Sequence, residues 1–407
     1  MTVRLLTIMG SGETSPTMVK VHRELLQRAG GRAVVLDTPF GFQENADEIT
    51  AKAQAYFRES VGADLGVASY RSRATDDTVS YETMLTRLRD ASYVFAGPGS
   101  PSYALEQWRD SAVPAMLRAK LRDGGAVTFA SAAALVLGTH TVPVYEIYKV
   151  GQAPHWLDGL DVIAEADLRA AVVPHFDNAE GGTHDTRYSY LGERRLREME
   201  TQLPDDVFIL GVDEHTACTL DLDADTATVA GLGAVTIRRD GQSTRFESGS
   251  TVPLDAFRSP EEIAVETRQL FPRNEPRDAA TPFLDGVRAI ERDFDGAVAA
   301  GDARGAVKAV LDLDDLMAEW ASETFSADEE AQARAAVRSM VTRLGGAADT
   351  GLRDPKEVVG PFVEALLEAR DRARNDKRFD EADAIRAGLT DAGVEIRDTP
   401  AGTDWVL

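Results

Sequence analysis

Cysteine is almost absent from this chain: Cys218 is the single thiol among 407 residues. One thiol cannot form an intramolecular disulfide, and it cannot supply the several cysteines of a structural zinc site. A chain without disulfides is typical of the reducing cytosol, so we expect a cytoplasmic location. Because Cys218 falls within a predicted strand, we expect it to be a small buried residue.

Long apolar runs and positive charge are also scarce. No run approaches the ~20 apolar residues that a membrane-spanning helix needs, and we interpret residues 1–9 as a buried first strand, not as a signal peptide. The 44 Lys and Arg residues against 68 Asp and Glu residues give a net charge of −24. Long-range electrostatics therefore oppose binding to anionic membranes or nucleic acid, although a local basic patch could still bind one. We expect no membrane partner.

In the first half, apolar runs alternate with amphipathic stretches. Strands are predicted at 3–9, 33–37, 65–69, 92–96, 125–130, 170–174 and 207–211, with helices between several of them. This pattern predicts an α/β fold with a mostly parallel, doubly wound sheet covered on both faces. Beyond residue 211, tight turns separate short strands, which predicts a few antiparallel hairpins at 217–222, 226–230, 234–239 and 243–248.

The last third differs in composition. A segment rich in proline and charge, residues 272–282, is the best linker candidate. Beyond it, Ala, Leu, Glu and Arg recur at helical spacing, which predicts helices at 284–299, 303–322, 327–345, 355–375 and 379–392. The expected domains are an α/β domain over 1–258, a helix and linker over 259–280, and an all-helical bundle over 281–407.

Two turns that follow predicted strands could carry chemistry. Ser131 follows GAVTFA, so its hydroxyl would project at the edge of the sheet, with the backbone N–H of Ala132 facing an oxyanion. Local sequence alone favours the alternative, an ordinary helix N-cap serine. In the loop FAGPGSP, Gly97 and Gly99 would let the backbone approach a ligand, and Gly99 has the N–H that Pro98 lacks. A plain tight turn is the alternative there.

A histidine and a carboxylate end two further predicted strands. His175 follows strand 170–174, where a general base is suitably placed. Asp213 and Glu214 follow strand 207–211, and a carboxylate there could orient the imidazole. Each residue has an ordinary alternative, a surface histidine or a turn carboxylate. Together with Ser131 they would converge at one edge of the sheet.

The order GPGSP, FASAA, PHFD and GVDEHTA resembles that of the cyanophycinase and aspartyl dipeptidase (peptidase E) family of serine peptidases. The opening Gly10-Ser11-Gly12-Glu13 is similar to the family's Gly-Gly-Gly-Glu, and the resemblance covers about residues 1–250. It implies a class I glutamine amidotransferase-like fold and a small peptide or amide substrate, for which the family suggests an acidic residue.

The same resemblance implies roles for individual residues. Ser131 would be the nucleophile, His175 the general base and Glu214 the orienting acid. The backbone N–H groups of Gly99 and Ala132 would bind the oxyanion. Four further residues are expected to contact substrate: Gly97, Ser100, Phe129 and Arg187. No cofactor and no metal are expected.

Departures from the family pattern qualify this expectation. Phe129 and Ala133 replace the glycines that relieve crowding around a strained nucleophile, and Phe129 would fill the substrate pocket or relax the turn. The unusual segment 178–185 adds His184 and Asp185 to His175 and Asp177, so a metal ion bound by these four side chains is an alternative. No cysteine occupies the turn, which argues against thiolate-based glutamine amidotransfer.

The end of the chain resembles a different family. Residues 365–405 contain an Arg-rich helix, FDEADAIR, a short strand and DTPAGTDW, an order similar to the carboxyl end of cysteinyl-tRNA synthetase. The synthetase's His-Ile-Gly-His and Lys-Met-Ser-Lys-Ser motifs are missing, so the chain is not expected to be a synthetase. The resemblance implies a module that contacts tRNA through Arg370, Arg372, Arg374, Lys377 and Arg378. A solvated helix face docked on the first domain is the alternative.

The leading hypothesis is a serine hydrolase of the peptidase or amidase type. The alternative is a catalytically silent α/β scaffold that binds tRNA or an aminoacyl compound through its tail. A third hypothesis joins the two, with hydrolysis of an aminoacyl or peptidyl group carried by tRNA. A homodimer is left open.

Overall fold

The apolar runs of the first half form strands, and the amphipathic stretches between them form helices, in the computed structural model of the chain. It describes residues 3–181, 184–258, 282–320, 327–350, 355–399 and 402–406. These residues form two compact units, Met1–Ala279 with Glu319–Thr324, and Ala280–Ala318 with Phe325–Leu407. The predicted helix and linker at 259–280 lie outside the described residues.

The first unit contains two mixed sheets. Its strands are β1 (Arg4–Met9), β2 (Ala33–Val35), β3 (Leu65–Val67), β4 (Tyr93–Ala96), β5 (Gly125–Ala130), β6 (His140–Thr141), β7 (Leu157–Asp158), β8 (Ala170–Val173), β9 (Phe208–Val212), β10 (Thr216–Asp221), β11 (Thr226–Gly231), β12 (Ala234–Arg239), β13 (Gln242–Glu247) and β14 (Thr251–Pro253). The eight-stranded sheet has the order β14-β11-β10-β1-β5-β4-β2-β3, and the six-stranded sheet has the order β13-β12-β9-β8-β6-β7.

Parallel pairing dominates where the chain alternates strand and helix. In the larger sheet β1, β5, β4, β2 and β3 run parallel, and in the smaller sheet β6, β8 and β9 do. The hairpin strands after residue 215 pair antiparallel and extend both sheets. The fold class expected from the sequence is confirmed, with the strands divided between two sheets.

Helices of the first unit cover these sheets. They are α1 (Val19–Ala29), α2 (Ala46–Tyr56), α3 (Thr78–Asp90), α4 (Pro101–Trp108), α5 (Val113–Asp123), α6 (Ser131–Leu135), α7 (Val144–Tyr148), α8 (Gly192–Glu200) and α9 (Asp255–Arg258). Short 3-10 helices occupy Pro16–Met18, Thr38–Phe40 and Val162–Ala166, and a π-helix occupies Phe57–Val61. Because β1 lies between β5 and β10, its Leu5, Leu6 and Ile8 are all fully buried.

The topology brings several strand ends to the same place. The parallel strands β1, β4 and β5 end at one edge of the larger sheet, and β8 and β9 end together in the smaller one. The short segment from Asp213 to His215 leaves β9 of the smaller sheet and enters β10 of the larger one. Residues that directly follow these strands are therefore placed at the junction of the two sheets.

The second unit is helical. Its helices are α10 (Pro282–Ala299), α11 (Ala303–Glu319), α12 (Ala327–Thr350), α13 (Pro355–Asn375) and α14 (Phe379–Asp391), and a hairpin of β15 (Glu395–Thr399) and β16 (Gly402–Val406) follows them. Val363, Leu367, Leu389, Ile396 and Trp405 share one buried cluster, which joins α13 and α14 to the hairpin. The helical prediction is confirmed, and the short predicted strand proves to be half of a hairpin. Among the described residues, no helix is long and apolar enough to cross a membrane.

Candidate active site

Ser131 is the first residue after β5 and has a left-handed backbone, with φ of 48°. This conformation costs a non-glycine residue about 1–3 kcal/mol, and such strain is typical of functional turns. Its hydroxyl does not cap α6, so the N-cap interpretation is wrong. Instead, Ser131 Oγ lies 2.9 Å from His175 Nε2. The turn is held in place by a hydrogen bond from Ala133 N–H to the Gly97 carbonyl, 3.2 Å long.

His175 connects the serine to a carboxylate. It follows β8, also with a positive φ of 47°, and its Nδ1 lies 2.8 Å from Glu214 Oε1. Both side chains are about four-fifths buried, since their exposed fractions are 19% and 20%. An Nδ1–H that donates to Glu214 leaves Nε2 as the acceptor for the Ser131 hydroxyl. The structure thus brings the three sequence-predicted side chains into one hydrogen-bonded series.

The Glu214 carboxylate has further partners that the sequence did not reveal. Asn178 Nδ2 donates to Glu214 Oε1 at 2.9 Å, and the backbone N–H of Glu214 donates to Asp177 Oδ1 at 2.7 Å. Asp177 and Asn178 stand two and three residues after His175, so the loop after β8 binds the loop after β9 at several points. Asp177 therefore has a positioning role in place of the metal ligation considered above.

The charges of His175 and Glu214 stabilise each other. Burial opposes the charged imidazolium of His175, but the hydrogen bond and charge of Glu214 outweigh it and raise its pKa above 6.5. Burial likewise acts to raise the pKa of Glu214, yet the hydrogen bonds from His175 and Asn178 bring it below 4.5. Glu214 therefore stays ionised near neutral pH, as a partner of a histidine base must.

Asp213, the other carboxylate considered from the sequence, points elsewhere. Its side chain is fully buried, and Oδ2 accepts hydrogen bonds from Ala234 N–H and Arg245 Nη2, both at 2.9 Å. Burial and the nearby Asp177 charge raise the pKa of Asp213 to about 7. Asp213 anchors the loop that carries Glu214 and does not contact His175.

The glycine loop after β4 is tightly packed. Gly99 has φ of 137°, and a Cβ added there would lie 2.0 Å from the Pro39 carbonyl oxygen, so this position needs glycine. Ser100 donates its N–H to Pro39 O at 2.8 Å, and its Oγ caps α4 by accepting the Tyr103 N–H. The oxyanion roles of Gly99 and Ala132, and the substrate contacts of Gly97 and Ser100, stay predictions.

Glu13 is a site residue to which sequence reasoning assigned no role. It follows β1, only 5% of it is exposed, and its Oε1 lies 3.0 Å from where a Cβ on Gly97 would stand. Its backbone carbonyl accepts a hydrogen bond from the buried His22 Nε2 at 2.7 Å. Burial lowers the pKa of His22 to about 4, so this histidine is neutral. The signal in the sequence was the segment Gly10-Ser11-Gly12-Glu13, which resembles the family's opening motif.

A cavity lies next to His175. Its volume is about 320 Å³, and it is lined by Val144, Tyr145, Tyr148, Lys149, Glu180, Gly181, His184, Thr186 and Tyr190. The Tyr190 ring lies 6.2 Å from the His175 ring, and the Tyr190 hydroxyl donates to Glu180 Oε2 at 2.9 Å. Apart from His184, these residues were also missed from the sequence, because the loop that carries Glu180 had no recognisable motif.

One expectation and one alternative considered for this site are not supported by the structure. Phe129 does not line it: its ring is fully buried in the core, 5.9 Å from the Trp108 ring, so it cannot contact substrate. The four side chains considered for a metal do not converge, since Asp185 binds Arg187 and His184 lies near the Tyr148 hydroxyl. In the described ranges, no group of three or more His, Cys, Asp or Glu side chains is arranged to hold a metal ion.

Arg187 and Cys218 are both accounted for by their neighbours. The Arg187 guanidinium donates two hydrogen bonds of 2.8 Å to the Asp185 carboxylate, so its charge is balanced by that carboxylate. Its contact with substrate stays a prediction. Cys218 is fully buried in β10, as expected, and burial raises its pKa to about 12.

The basic residues near the end of α13 do not form one exposed stripe. Arg370 is only 3% exposed, so its expected contact with tRNA is contradicted. Arg372, Arg374, Lys377 and Arg378 are exposed. Arg378 forms ion pairs with Asp376 and Glu381, so its charge is shared with acidic neighbours. The contacts of the four exposed residues with tRNA stay predictions.

Comparisons with known proteins separate the two parts of the chain. Residues 359–405 match the family described as the cysteinyl-tRNA ligase anticodon binding domain. The cysteine–tRNA ligase of Halorhodospira halophila is 35% identical over 129 residues, which cover 32% of this chain and 23% of the ligase. That of Bifidobacterium longum is 33% identical over 177 residues, which cover 40% of this chain and 30% of the ligase. The chain thus spans about a quarter of the length of the first curated relatives.

A solved structure matches the fold of the α/β part. The crystal structure of a peptidase from an acI-B1 actinobacterium superposes with a TM-score of 0.51 and 20% identity. The match covers 62% of this chain and 97% of the peptidase chain. At this level of identity the similarity concerns the fold. The comparisons confirm the two-part organisation expected from the sequence, in which an α/β unit with the fold of a peptidase precedes a segment that matches the anticodon-binding domain of cysteinyl-tRNA ligases.

Proposed function

We propose that the α/β unit is a serine hydrolase that cleaves a small peptide or amide, with Ser131 as its nucleophile. One observation carries the proposal: hydrogen bonds run without a break from Ser131 Oγ through both ring nitrogens of His175 to Glu214 Oε1. A nucleophile, a base and an orienting acid in this geometry form the recurring arrangement of serine hydrolases on unrelated folds.

The geometry supports a two-step reaction. His175 Nε2 takes the proton of Ser131 Oγ as the oxygen attacks the substrate carbonyl carbon, and Glu214 stabilises the imidazolium. The imidazolium then gives the proton to the leaving amine, which departs and leaves an ester on Ser131. Water activated by His175 hydrolyses that ester and frees the serine. The N–H groups of Gly99 and Ala132 are the proposed donors to the oxyanion in both steps.

The strained backbone of Ser131 fits this role better than a structural one. A serine that only ended a strand would gain nothing from a positive φ, whereas a nucleophile in this conformation projects its oxygen away from the sheet. Ala133, which replaces the family's second glycine, is fully buried. Phe129 directs its ring into the core and leaves the turn free.

A fluorophosphonate probe tests the proposal directly, because it reacts covalently with activated serines. We expect the wild-type chain to be labelled, Ser131→Ala to be unlabelled, and His175→Ala to be labelled at least about 100-fold more slowly, the lower range of acid–base contributions. Ser80→Ala, an exposed serine on α3, is the matched control and should label as the wild type does. Equal labelling of wild type and Ser131→Ala would contradict the proposal.

We propose a second activity for the carboxyl-terminal segment, binding of tRNA. The match of residues 359–405 to an anticodon-binding domain supports it, and the exposed Arg372 and Arg374 offer positive charge there. Contacts of these arginines with phosphates would release counterions from the tRNA, so binding should weaken as salt is added. We expect the full chain to shift tRNA at low salt and Arg372→Glu with Arg374→Glu to abolish the shift, whereas Arg334→Glu on α12 does not. No shift even at low salt would exclude this activity.

A further inference from the structure

Glu13 presents an unusual carboxylate. Of the whole residue only 5% is exposed, yet its carboxylate makes no ion pair and no side-chain hydrogen bond within the part of the chain that the structure describes; the donor that it faces is its own backbone N–H. Burying an ionised carboxylate without a cation is costly. A native protein that retains such a group at a candidate active site usually uses it for a ligand.

This carboxylate faces the glycine loop that binds the turn of the proposed nucleophile. Its Oε1 faces Gly97, whose carbonyl oxygen accepts the hydrogen bond from Ala133, two residues after Ser131. The charge of His175 lowers the pKa of Glu13, and the charge of Glu13 raises that of His175, so the two groups interact electrostatically. Burial is the stronger influence on Glu13 and raises its pKa above 4.5 overall.

Structural support for the loop does not require this carboxylate. The loop from Gly10 to Ser15 is already held by backbone groups: His22 binds the Glu13 carbonyl, Gly10 N–H donates to Thr216 O, and Tyr56 donates to Ser15 O. The Glu13 side chain adds no contact of this kind. The carboxylate is therefore not needed to hold this loop in place.

The surroundings of His175 are otherwise acidic. Glu180 lies across the ring of Tyr190 and raises the pKa of His175 by its charge, as Glu214 does. The nearby arginines form ion pairs with other carboxylates: Arg187 binds Asp185, and Arg245 binds Asp213 and Glu247. Lys149 also lines the cavity, with its Nζ over the Tyr148 ring, 4.7 Å from the ring centre. Next to the Glu13 and Glu180 carboxylates, an acidic substrate group would be repelled and a positively charged group attracted.

We infer that Glu13 is a specificity-determining residue whose carboxylate binds a positively charged nitrogen of the substrate. Glu180 and the tyrosines of the adjoining cavity form a second place where that nitrogen can bind. This inference rests on the proposed hydrolase function and reverses the acidic preference that the family resemblance suggests. The nitrogen is either the free α-ammonium of a peptide or the ammonium of a lysine-type side chain, and both would bind a buried carboxylate in the same way. Tyr145 and Tyr190 line the same cavity, and aromatic rings also attract cations.

Four nitroanilides distinguish the two sources. Alanine p-nitroanilide and its N-acetyl derivative differ in the α-ammonium, and N-acetyl-lysine and N-acetyl-norleucine p-nitroanilides differ in the side-chain charge. We expect the wild type to favour one charged member over its neutral counterpart in kcat/KM. Glu13→Gln should lower that preference roughly 10- to 100-fold, the loss expected for a charge-assisted hydrogen bond, mainly through KM. Glu24→Gln, exposed on α1, is the matched control and should keep the preference.

The fluorophosphonate probe separates a failure of this inference from a failure of the hydrolase proposal. Glu13→Gln should still be labelled at Ser131, because the hydrogen bonds from Ser131 through His175 to Glu214 do not include Glu13. An unchanged charge preference in a labelled Glu13→Gln protein, or a wild type that favours the neutral members, would overturn the inference alone. If labelling occurs without turnover, protection of Ser131 from the probe tests the same charge preference. Alaninamide and lysinamide carry a charged nitrogen and N-acetylalaninamide does not, so the charged amides should protect better in the wild type than in Glu13→Gln. A wild type that is neither labelled nor active overturns the hydrolase proposal, and the inference with it.

Discussion

Asp177 accepts the backbone N–H of Glu214 at 2.7 Å, so the loop that carries the histidine also fixes the main chain of its acid partner. This contact is separate from the His175–Glu214 hydrogen bond and restrains the loop that presents the carboxylate. Because Asp177 does not touch the reacting atoms, its contribution is one of position.

Asp177→Ala tests this positioning role. We expect the rate of fluorophosphonate labelling to fall about 10-fold, since a hydrogen bond to an ionised group contributes about 1.5–3 kcal/mol and part of it is replaced by water. Asp177→Asn should recover most of the rate, because its amide oxygen can still accept the Glu214 N–H. Asp205→Ala, at an exposed position, is the control. Equal loss in Asp177→Asn and Asp177→Ala would assign the effect to charge instead.

The raised pKa of His175 predicts the pH dependence of reactivity. Neutral imidazole is the competent form, so the labelling rate should rise with pH through a midpoint above 6.5. Glu214→Gln should move the midpoint of the imidazole to lower pH, because burial then acts without the compensating carboxylate. NMR titration of the ring in the Ser131→Ala background measures both midpoints. A midpoint that does not move in Glu214→Gln would refute the assigned electrostatic coupling.

The same pKa has a consequence for stability. A group whose pKa is higher in the folded state stabilises the fold fully below its unfolded value, here 6.5, and that contribution is lost as pH rises through the folded value. We therefore expect the stability of the Ser131→Ala protein to urea to fall as the pH is raised from the lower to the higher of these two values. The fall should be smaller in the double variant Ser131→Ala with His175→Gln.

Gly99 and Gly62 form a matched pair of glycines with positive φ. A Cβ at Gly99 would lie 2.0 Å from the Pro39 oxygen, whereas a Cβ at Gly62 would meet nothing within 4 Å. Gly99→Ala must move the loop that offers the proposed oxyanion donor, so labelling should fall by about 100-fold, as for loss of one such donor. Gly62→Ala should cost only about 1 kcal/mol of stability and leave labelling intact. Wild-type labelling of Gly99→Ala would remove Gly99 from the proposed oxyanion site.

Phe129 should matter for stability and not for substrate selection. Its fully buried ring packs near Trp108, so Phe129→Ala should lower the free energy of unfolding by about 3–5 kcal/mol. Urea unfolding followed by tryptophan fluorescence measures the change. Phe42→Ala, at a position that is 51% exposed, should change the unfolding free energy by less than about 0.5 kcal/mol. Changed substrate preference in a folded Phe129→Leu protein would contradict this assignment.

Replacement of Arg370 should affect stability, whereas replacement of Arg372 should affect tRNA binding. Arg370 is buried, so Arg370→Ala should destabilise the carboxyl-terminal segment in thermal unfolding, by about 1–3 kcal/mol for partners left without a donor. Arg372→Ala should leave the unfolding transition unchanged and weaken retention of tRNA, with a smaller salt dependence. Equal effects of the two changes on unfolding would contradict the structural role given to Arg370.

The serine, histidine and glutamate were predictable because each directly follows a strong apolar strand. Parallel strands bring such positions to one edge, so local order along the chain was enough to predict their proximity. The contact of Glu13 with the glycine loop depends instead on which strands are neighbours in the sheet. That order is a property of the whole fold, and no local pattern of residues encodes it.

Phe129 shows a different limit. In a strand that is buried on both faces every side chain is apolar, so alternation cannot tell which side faces the site. The mistaken placement of Arg370 was avoidable in part. On an α-helix, Arg370 and Arg372 lie about 200° apart, so one stripe could not have included both. The partners that consume charge, such as Asp185 for Arg187, became visible only in three dimensions.

The residues of the proposed reactive centre are divided between the two sheets. Ser131 follows a strand of the eight-stranded sheet, His175 follows a strand of the six-stranded one, and Glu214 lies on the segment that passes between them. A folding intermediate with only one sheet formed would therefore hold at most part of the series. Reaction of Ser131 with the probe during refolding would then time the association of the two sheets, and a chain trapped before that step would be structured by circular dichroism yet chemically inert.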